Sequence, residues 1–300
     1  MLPETSTPML RIPPGGCDCH VHVFDPARFH YAATRSYTPA AATVEDLSRM
    51  HARMGMDRVV LAQPSCYGTD NAAMLDAIAQ IGQDRARGVA VVDFDHVTAQ
   101  NLQSLHAEGI RGLRLNFSTQ SQKPSGALLE EILKADAAAS AVGWSVHLHV
   151  HSRLLEDLGR ELAKLKSPIA FDHFAGFKGA SWAPGDTAWR SLLALLEKGG
   201  AYVKLSAPYR VSTQDGHPGL QEMARELVRA APSRLLWGSD WPHTGGSGVR
   251  STSVREIEPF RNVNAGAELD LLAHWIPDPE IRQRIFVDNP SRLFGFADPA

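Results

Sequence analysis

The chain has 300 residues, 44% hydrophobic and 21% charged, with 30 basic against 33 acidic side chains and a formal charge of −3. That composition excludes the fibrous, disordered and disulfide-scaffold classes, and it shows no electrostatic footprint for a nucleic-acid partner. Nothing approaches eighteen consecutive apolar residues, and Met1-Leu2-Pro3-Glu4-Thr5 lacks the basic start and apolar centre of a signal peptide. The expectation is therefore no membrane partner and a cytoplasmic location, with Cys17, Cys19 and Cys66 as free thiols.

Residues 1–15 carry four prolines and no periodicity, which predicts a loose N-terminal arm. The stretch Cys17-Asp18-Cys19-His20-Val21-His22-Val23-Phe24 follows. In a regular strand, His20 and His22 share a face with Asp18, while Cys17, Cys19, Val21 and Val23 share the other. Two imidazoles about 6.6 Å apart along one face can converge on a single ion or substrate oxygen. The aromatic loop from Phe29 to Pro39 is long for a connection, as functional loops are. Thr43 then caps a helix whose stripe is Leu47, Met50, His51 and Met54, ending at Gly55.

From there short apolar runs alternate with amphipathic stretches. The runs are Val21–Phe24, Arg58–Gln63, Gly88–Asp93, Ile110–Phe117, Trp144–Val150, Ile169–His173, Ala201–Ser206 and Leu235–Asp240. Eight strands alternating with helices predict a distorted (β/α)8 TIM barrel, a single domain over residues 1–300. Residues 241–266 read as a glycine-rich loop, Thr244-Gly245-Gly246-Ser247-Gly248, and further helix.

In such a barrel the site lies where the strands end. Polar groups fall there strand by strand: His20 and His22; Gln63 and Ser65; Asp93; Arg114 and Asn116; His147 and His149; Asp172 and His173; Lys204 and Ser206; Ser239 and Asp240. Of the strand-five pair, His149 is expected to look inward, being nearer the strand end. Arg114 sits in an apolar run and needs an anionic partner, from the protein or the substrate. Lys204 can pair with a core acid. Asp240 has few structural duties and reads as catalytic, with His243 a weaker candidate.

Several of these segments resemble the amidohydrolase superfamily, amidohydrolase 2 type, in the branch of 2-pyrone-4,6-dicarboxylate lactonase and related sugar-acid lactonases. The carrying motifs are Asp18-Cys19-His20-Val21-His22, Gln63-Pro64-Ser65, Arg111-Gly112-Leu113-Arg114-Leu115-Asn116, Phe171-Asp172-His173, Lys204-Leu205-Ser206-Ala207-Pro208-Tyr209-Arg210, Trp237-Gly238-Ser239-Asp240-Trp241-Pro242-His243 and Asn289-Pro290. The resemblance implies a lactone hydrolase in which Asp240 activates water and His20, His22 and His173 polarise the carbonyl. It implies that Arg114, Arg210, Tyr37 and Ser65 hold substrate carboxylates, that the partner is a small carboxylated lactone, and that no cofactor is required.

Two departures keep alternatives open. Ser118-Thr119-Gln120 stands where that branch carries a second arginine, and strand five offers His147 and His149. A metal set of His20, His22, His149 and Asp240 resembles the mononuclear site of other superfamily members, and three N ligands with one O ligand suit zinc. The alternatives are a zinc-dependent decarboxylase or amide hydrolase, a galactarolactone isomerase, and a non-catalytic barrel. A homo-oligomer is compatible with all of them.

Overall fold

Eight parallel strands follow one another around a barrel in the computed structural model, which describes residues 2–118, 123–214, 216–245 and 253–297. They are β1 Cys17–Val21, β2 Arg58–Ala62, β3 Ala86–Ala90, β4 Ile110–Asn116, β5 Ser145–His149, β6 Ile169–Phe171, β7 Ala201–Ser206 and β8 Leu235–Gly238. Helices between them include α1 Val44–Met54, α2 Ala72–Ile81, α3 Ala99–Ala107, α4 Ser125–Ala141, α5 Arg153–Leu162, α6 Thr187–Glu197 and α7 Leu220–Ala230. Thr43 caps α1 through a reciprocal box with Asp46, Gly55 closes it at φ +74°, and Leu47, Met50, His51 and Met54 are its buried face. Residues 119, 120 and 246–248, from the strand-four departure and the glycine-rich loop, lie outside the described residues.

Two strands sit earlier than their apolar runs predict. β1 is Cys17–Val21 rather than Val21–Phe24, because Phe24 leaves the barrel to bond with Ala42. β3 ends at Ala90, because Asn71 takes both Val91 backbone groups through Oδ1 and Nδ2. Asp93 is thereby left outside the strand, exposed and 2.8 Å from His96 Nδ1.

The first strand also breaks the expected alternation. Asp18 pairs with Val59 but Val21 pairs with Leu61, so three steps on β1 oppose two on β2: a β-bulge. Asp18 is turned to the helix layer, its Oδ2 3.3 Å from His51 Nε2 on α1. Cys17 and Cys19, expected opposite the histidines, instead join an interior cluster with Val60, Val89, Ala170, Tyr202 and Leu236. All three cysteines are free and buried.

The barrel closes between β1 and β8 through Asp240 N–H to His20 O and His22 N–H to Trp241 O, both 2.9 Å. Ser239 N–H adds a 2.9 Å bond to Asp18 Oδ1. The strands approach so closely that a Cβ on Gly238 would stand 2.7 Å from His20 Cβ, which is why glycine occupies that position. At the opposite end Phe294 and Phe296 plug the interior, with the Arg58 and Arg87 guanidiniums 5.3 and 4.9 Å from the Phe296 ring centre. Only the end where the strands terminate remains for chemistry.

The N-terminal arm is fastened rather than loose. Ser6 N–H bonds Asn264 Oδ1, the Met9 and Leu10 N–H groups bond Asp270, and Gly15 N–H bonds Asp57. Among the described residues no helix is long and apolar enough to cross a membrane.

Candidate active site

Asp240 follows β8 in the left-handed region at φ +59°, and His173 follows β6 at φ +50°. Left-handed backbone costs a non-glycine residue about 1 kcal/mol or more and concentrates at functional sites. Here it turns both side chains toward the barrel axis. Asp240 Oδ1 lies 3.6 Å from His20 Nε2, 3.6 Å from His22 Nε2 and 3.8 Å from His173 Nε2. Oδ1 and His20 Nε2 are buried and have no hydrogen-bond partner among the described residues. Buried polar atoms are rarely left so, and the gap suits a water, a substrate oxygen or a metal ion.

The other carboxylate oxygen is fully held. Asp240 Oδ2 accepts from Tyr209 OH and Arg210 Nε, both at 2.6 Å. Tyr209 OH also lies 3.1 Å from His243 Nδ1, and Arg210 Nη2 reaches Thr244 O and Oγ1 at 3.3 and 3.1 Å. Burial alone would raise the Asp240 pKa, but the Arg210 guanidinium and the surrounding imidazoles outweigh it and hold the carboxyl well below the usual range. Burial pushes His173 down to about 4 and His20 well below its ordinary value. At neutral pH the site therefore holds one carboxylate facing uncharged rings at His20 and His173.

Beneath this layer Asp172 binds two cations. Lys204 Nζ is 2.9 Å from its Oδ1, and Arg114 places Nη2 and Nε 3.3 and 3.4 Å from its Oδ2. The anionic partner that Arg114 requires is thus Asp172, with Gln63 O taking Nη1 at 3.2 Å. Lys204 finds the core acid expected for it. Lys204 Nζ also stands 3.0 Å from His20 Nδ1.

Each histidine's outer nitrogen has its own partner. His22 Nδ1 lies 2.7 Å from Ala62 O, a pure acceptor, so it must donate; in the neutral ring Nε2 is then a bare lone pair. His173 Nδ1 lies 2.8 Å from Ser206 Oγ, a hydroxyl able to donate or accept. His147 and His149 both look inward, as residues two apart on a strand do. His147 sits one layer lower with Nε2 3.0 Å from Ser145 Oγ, and His149 packs edge-on against His173 with ring centres 4.9 Å apart.

The ligand atoms of His20, His22 and Asp240 lie within 4.8 Å of one another, and so do those of His20, Asp172 and His173. Three such donors with a water in the fourth place suit catalytic zinc. His149 belongs to neither group, so the predicted set of four is brought together only in part. Ligating imidazoles ordinarily donate their other N–H to a carboxylate or carbonyl, whereas His20 Nδ1 has the Lys204 ammonium at 3.0 Å competing with the Asp172 carboxylate at 3.2 Å.

The remaining candidates border the site less closely. Tyr37 is buried near Arg210. Ser65 is exposed on the turn Ser65–Tyr67 that follows β2. Tyr209 was not among the predicted site residues, although it lies in a quoted motif. Its signal was its place beside Arg210 and three residues past the end of a strand.

The profile of the amidohydrolase family matches residues 17–296. A 4-sulfomuconolactone hydrolase of Rhizobium radiobacter is 34% identical over 95% of this chain and 91% of its own length. A 2-pyrone-4,6-dicarboxylate hydrolase of Comamonas testosteroni is 30% identical over 96% of this chain and 93% of its own. The crystal structure of a probable 2-pyrone-4,6-dicarboxylic acid hydrolase from Acinetobacter baumannii, with citric acid bound, superposes with a TM-score of 0.78 at 28% identity, covering 94% of this chain and 100% of that one. With the barrel, the inward histidines and the strand-eight aspartate in place, the chain belongs to the amidohydrolase family.

Proposed function

We propose that this chain is a hydrolase that opens a small carboxylated lactone with water activated by Asp240. One observation carries the reading: Asp240 Oδ1 is buried and unpartnered among the described residues, and three imidazole Nε2 atoms face it at 3.6–3.8 Å. Water in that gap gives one hydrogen to Oδ1 and the other to the bare Nε2 of His22, leaving a lone pair for the carbonyl carbon. Attack builds charge on the carbonyl oxygen, where an N–H from His20 or His173 stabilises it. Collapse breaks the ring C–O bond, and the proton on Asp240 passes to the ring oxygen. The products are a carboxylic acid, which ionises to solvent, and a hydroxyl.

We assign the substrate's carboxylates to Arg114, Arg210, Tyr37 and Ser65. The two guanidiniums would use N–H groups left over from Asp172 and Asp240. The buried free thiols support a reducing, cytoplasmic compartment. No metal is needed for these steps. A second reading, zinc-dependent hydrolysis or decarboxylation, is favoured by the compact donor group of His20, His22 and Asp240, with His149 as its provisional fourth member. Zinc held there would polarise a carbonyl and acidify a water.

Asp240→Asn tests the base. Turnover of carboxylated lactones should vanish while their binding persists, and near-normal turnover overturns the assignment. Incorporation of oxygen from labelled water into the product separates ring opening from ring migration. Screening the lactones with and without chelator separates the two readings of the site.

A further inference from the structure

One fully buried cation of the barrel has no task in the reaction as written above. Lys204 is fully buried on β7, its Nζ 2.9 Å from Asp172 Oδ1 and 3.0 Å from His20 Nδ1. An ammonium carries three donors and no acceptor. In a bond to it, His20 Nδ1 can only accept. Asp172 Oδ1 lies 3.2 Å from the same ring nitrogen and competes for it, but the ammonium is the nearer group to Nδ1, and Oδ1 is itself paired with that ammonium at 2.9 Å. A neutral His20 that accepts from this ammonium carries its hydrogen on Nε2, the atom that opens toward Asp240 Oδ1.

We propose that Lys204 is a positioning residue that locks His20 in its Nε2–H form, making it the hydrogen-bond donor to the carbonyl oxygen and denying that nitrogen to a metal ion. The arrangement is the reverse of that at His22. There a carbonyl at 2.7 Å takes the Nδ1 hydrogen and leaves Nε2 bare. Two histidines two residues apart at the end of one strand thus face the same gap with opposite polarity, one to give a hydrogen bond and one to receive it. An oxyanion needs the first and a nucleophilic water needs the second. Asp172 and Arg114 hold Lys204 in place from the far side, which gives their buried pairing a role beyond charge neutralisation.

The role in turnover rests on the lactone-opening reading, whereas the tautomer itself does not, and the test separates them. The histidines of the full-length wild-type chain are labelled with nitrogen-15 and their two ring nitrogens distinguished by long-range proton correlation, with the His20 signals assigned by comparison with His20→Gln. Protonated Nε2 and bare Nδ1 at His20, with the opposite pattern at His22, is expected; protonated Nδ1 at His20 overturns the proposal whatever the substrate proves to be. In Lys204→Met the His20 hydrogen is expected to move toward Asp172 and zinc affinity, measured by calorimetry, to rise at least tenfold. On a turned-over lactone kcat should fall about 10²- to 10³-fold with KM little changed, the loss seen when one oxyanion donor is removed. Should Lys204→Met fail to fold, the wild-type spectrum alone decides. A correct tautomer with no lactone turned over would sink the lactone reading and leave the Lys204 assignment standing.

Discussion

Replacing Gly238 by alanine probes the seam on which both the barrel and the site depend. The added Cβ would meet His20 Cβ at 2.7 Å and His20 N at 2.9 Å. Carbon atoms in contact prefer about 3.5–4.0 Å, so β1 and β8 must part by about 1 Å. Neither neighbour is a flexible side-chain tip; both belong to the backbone end of His20. Separation stretches the Asp240-to-His20 and His22-to-Trp241 backbone bonds and the Ser239 bond to Asp18. Overpacking of this kind costs about 1–3 kcal/mol, a fall of about 2–6 °C in the thermal midpoint. The larger effect should be kinetic. His20 and Asp240 sit on opposite sides of the seam, and a misplacement of about 1 Å between reacting groups can cost about 10²-fold in rate. The expected outcome in steady-state assays and thermal melts is a folded enzyme with kcat lowered about 10²-fold. Full activity at an unchanged melting temperature would show that the seam is not as tight as described.

Arg210→Met removes the cation that holds Asp240 below its ordinary range; the Asp240 pKa should rise, moving the acid limb of the kcat/KM profile to higher pH, and an unmoved limb would refute the pairing. His173 is depressed to about 4 from the ordinary imidazole value of about 6.5, so the unfolded chain binds that proton first as pH falls. Stability should therefore be lost between about pH 6.5 and 4, by about 3 kcal/mol from this group, and His173→Gln should show a shallower decline in denaturant titrations across that window. Phe294→Ala opens the plugged end, away from the chemistry; it should cost about 3–5 kcal/mol of stability while kcat changes less than threefold, and a large kinetic loss would show the two ends to be coupled.

The barrel was legible because β-branched runs and capped helices recur in the chain, and Ala201–Ser206 emerges with the predicted bounds. The errors have local causes. In Cys17-Asp18-Cys19-His20 no β-branched residue announces a strand, and the bulge that follows breaks the period-two pattern on which the facing of Asp18 and the cysteines was argued. Val91 and Val92 extend an apolar run past Ala90, yet the strand stops there, because an asparagine twenty residues upstream satisfies the Val91 backbone more locally than a neighbouring strand could.

The site was legible by residue type and illegible by proton. His20 and His22 look equivalent in sequence, two imidazoles at strand spacing, and equivalence is what suggests a metal pair. They differ only in what stands behind them: a backbone carbonyl of Ala62 for one, the ammonium of Lys204 for the other. A carbonyl has no sequence signature, and Lys204 is 184 residues from His20 along the chain. The same holds for the arginines. The resemblance assigns Arg114 and Arg210 to substrate carboxylates, but each already grips a buried aspartate, so their charge acts first on Asp172 and Asp240. A substrate anion must then bind to a site whose cations are largely neutralised. That favours a lactone whose carboxylate meets single N–H groups at the rim over one demanding a bidentate clamp at the centre.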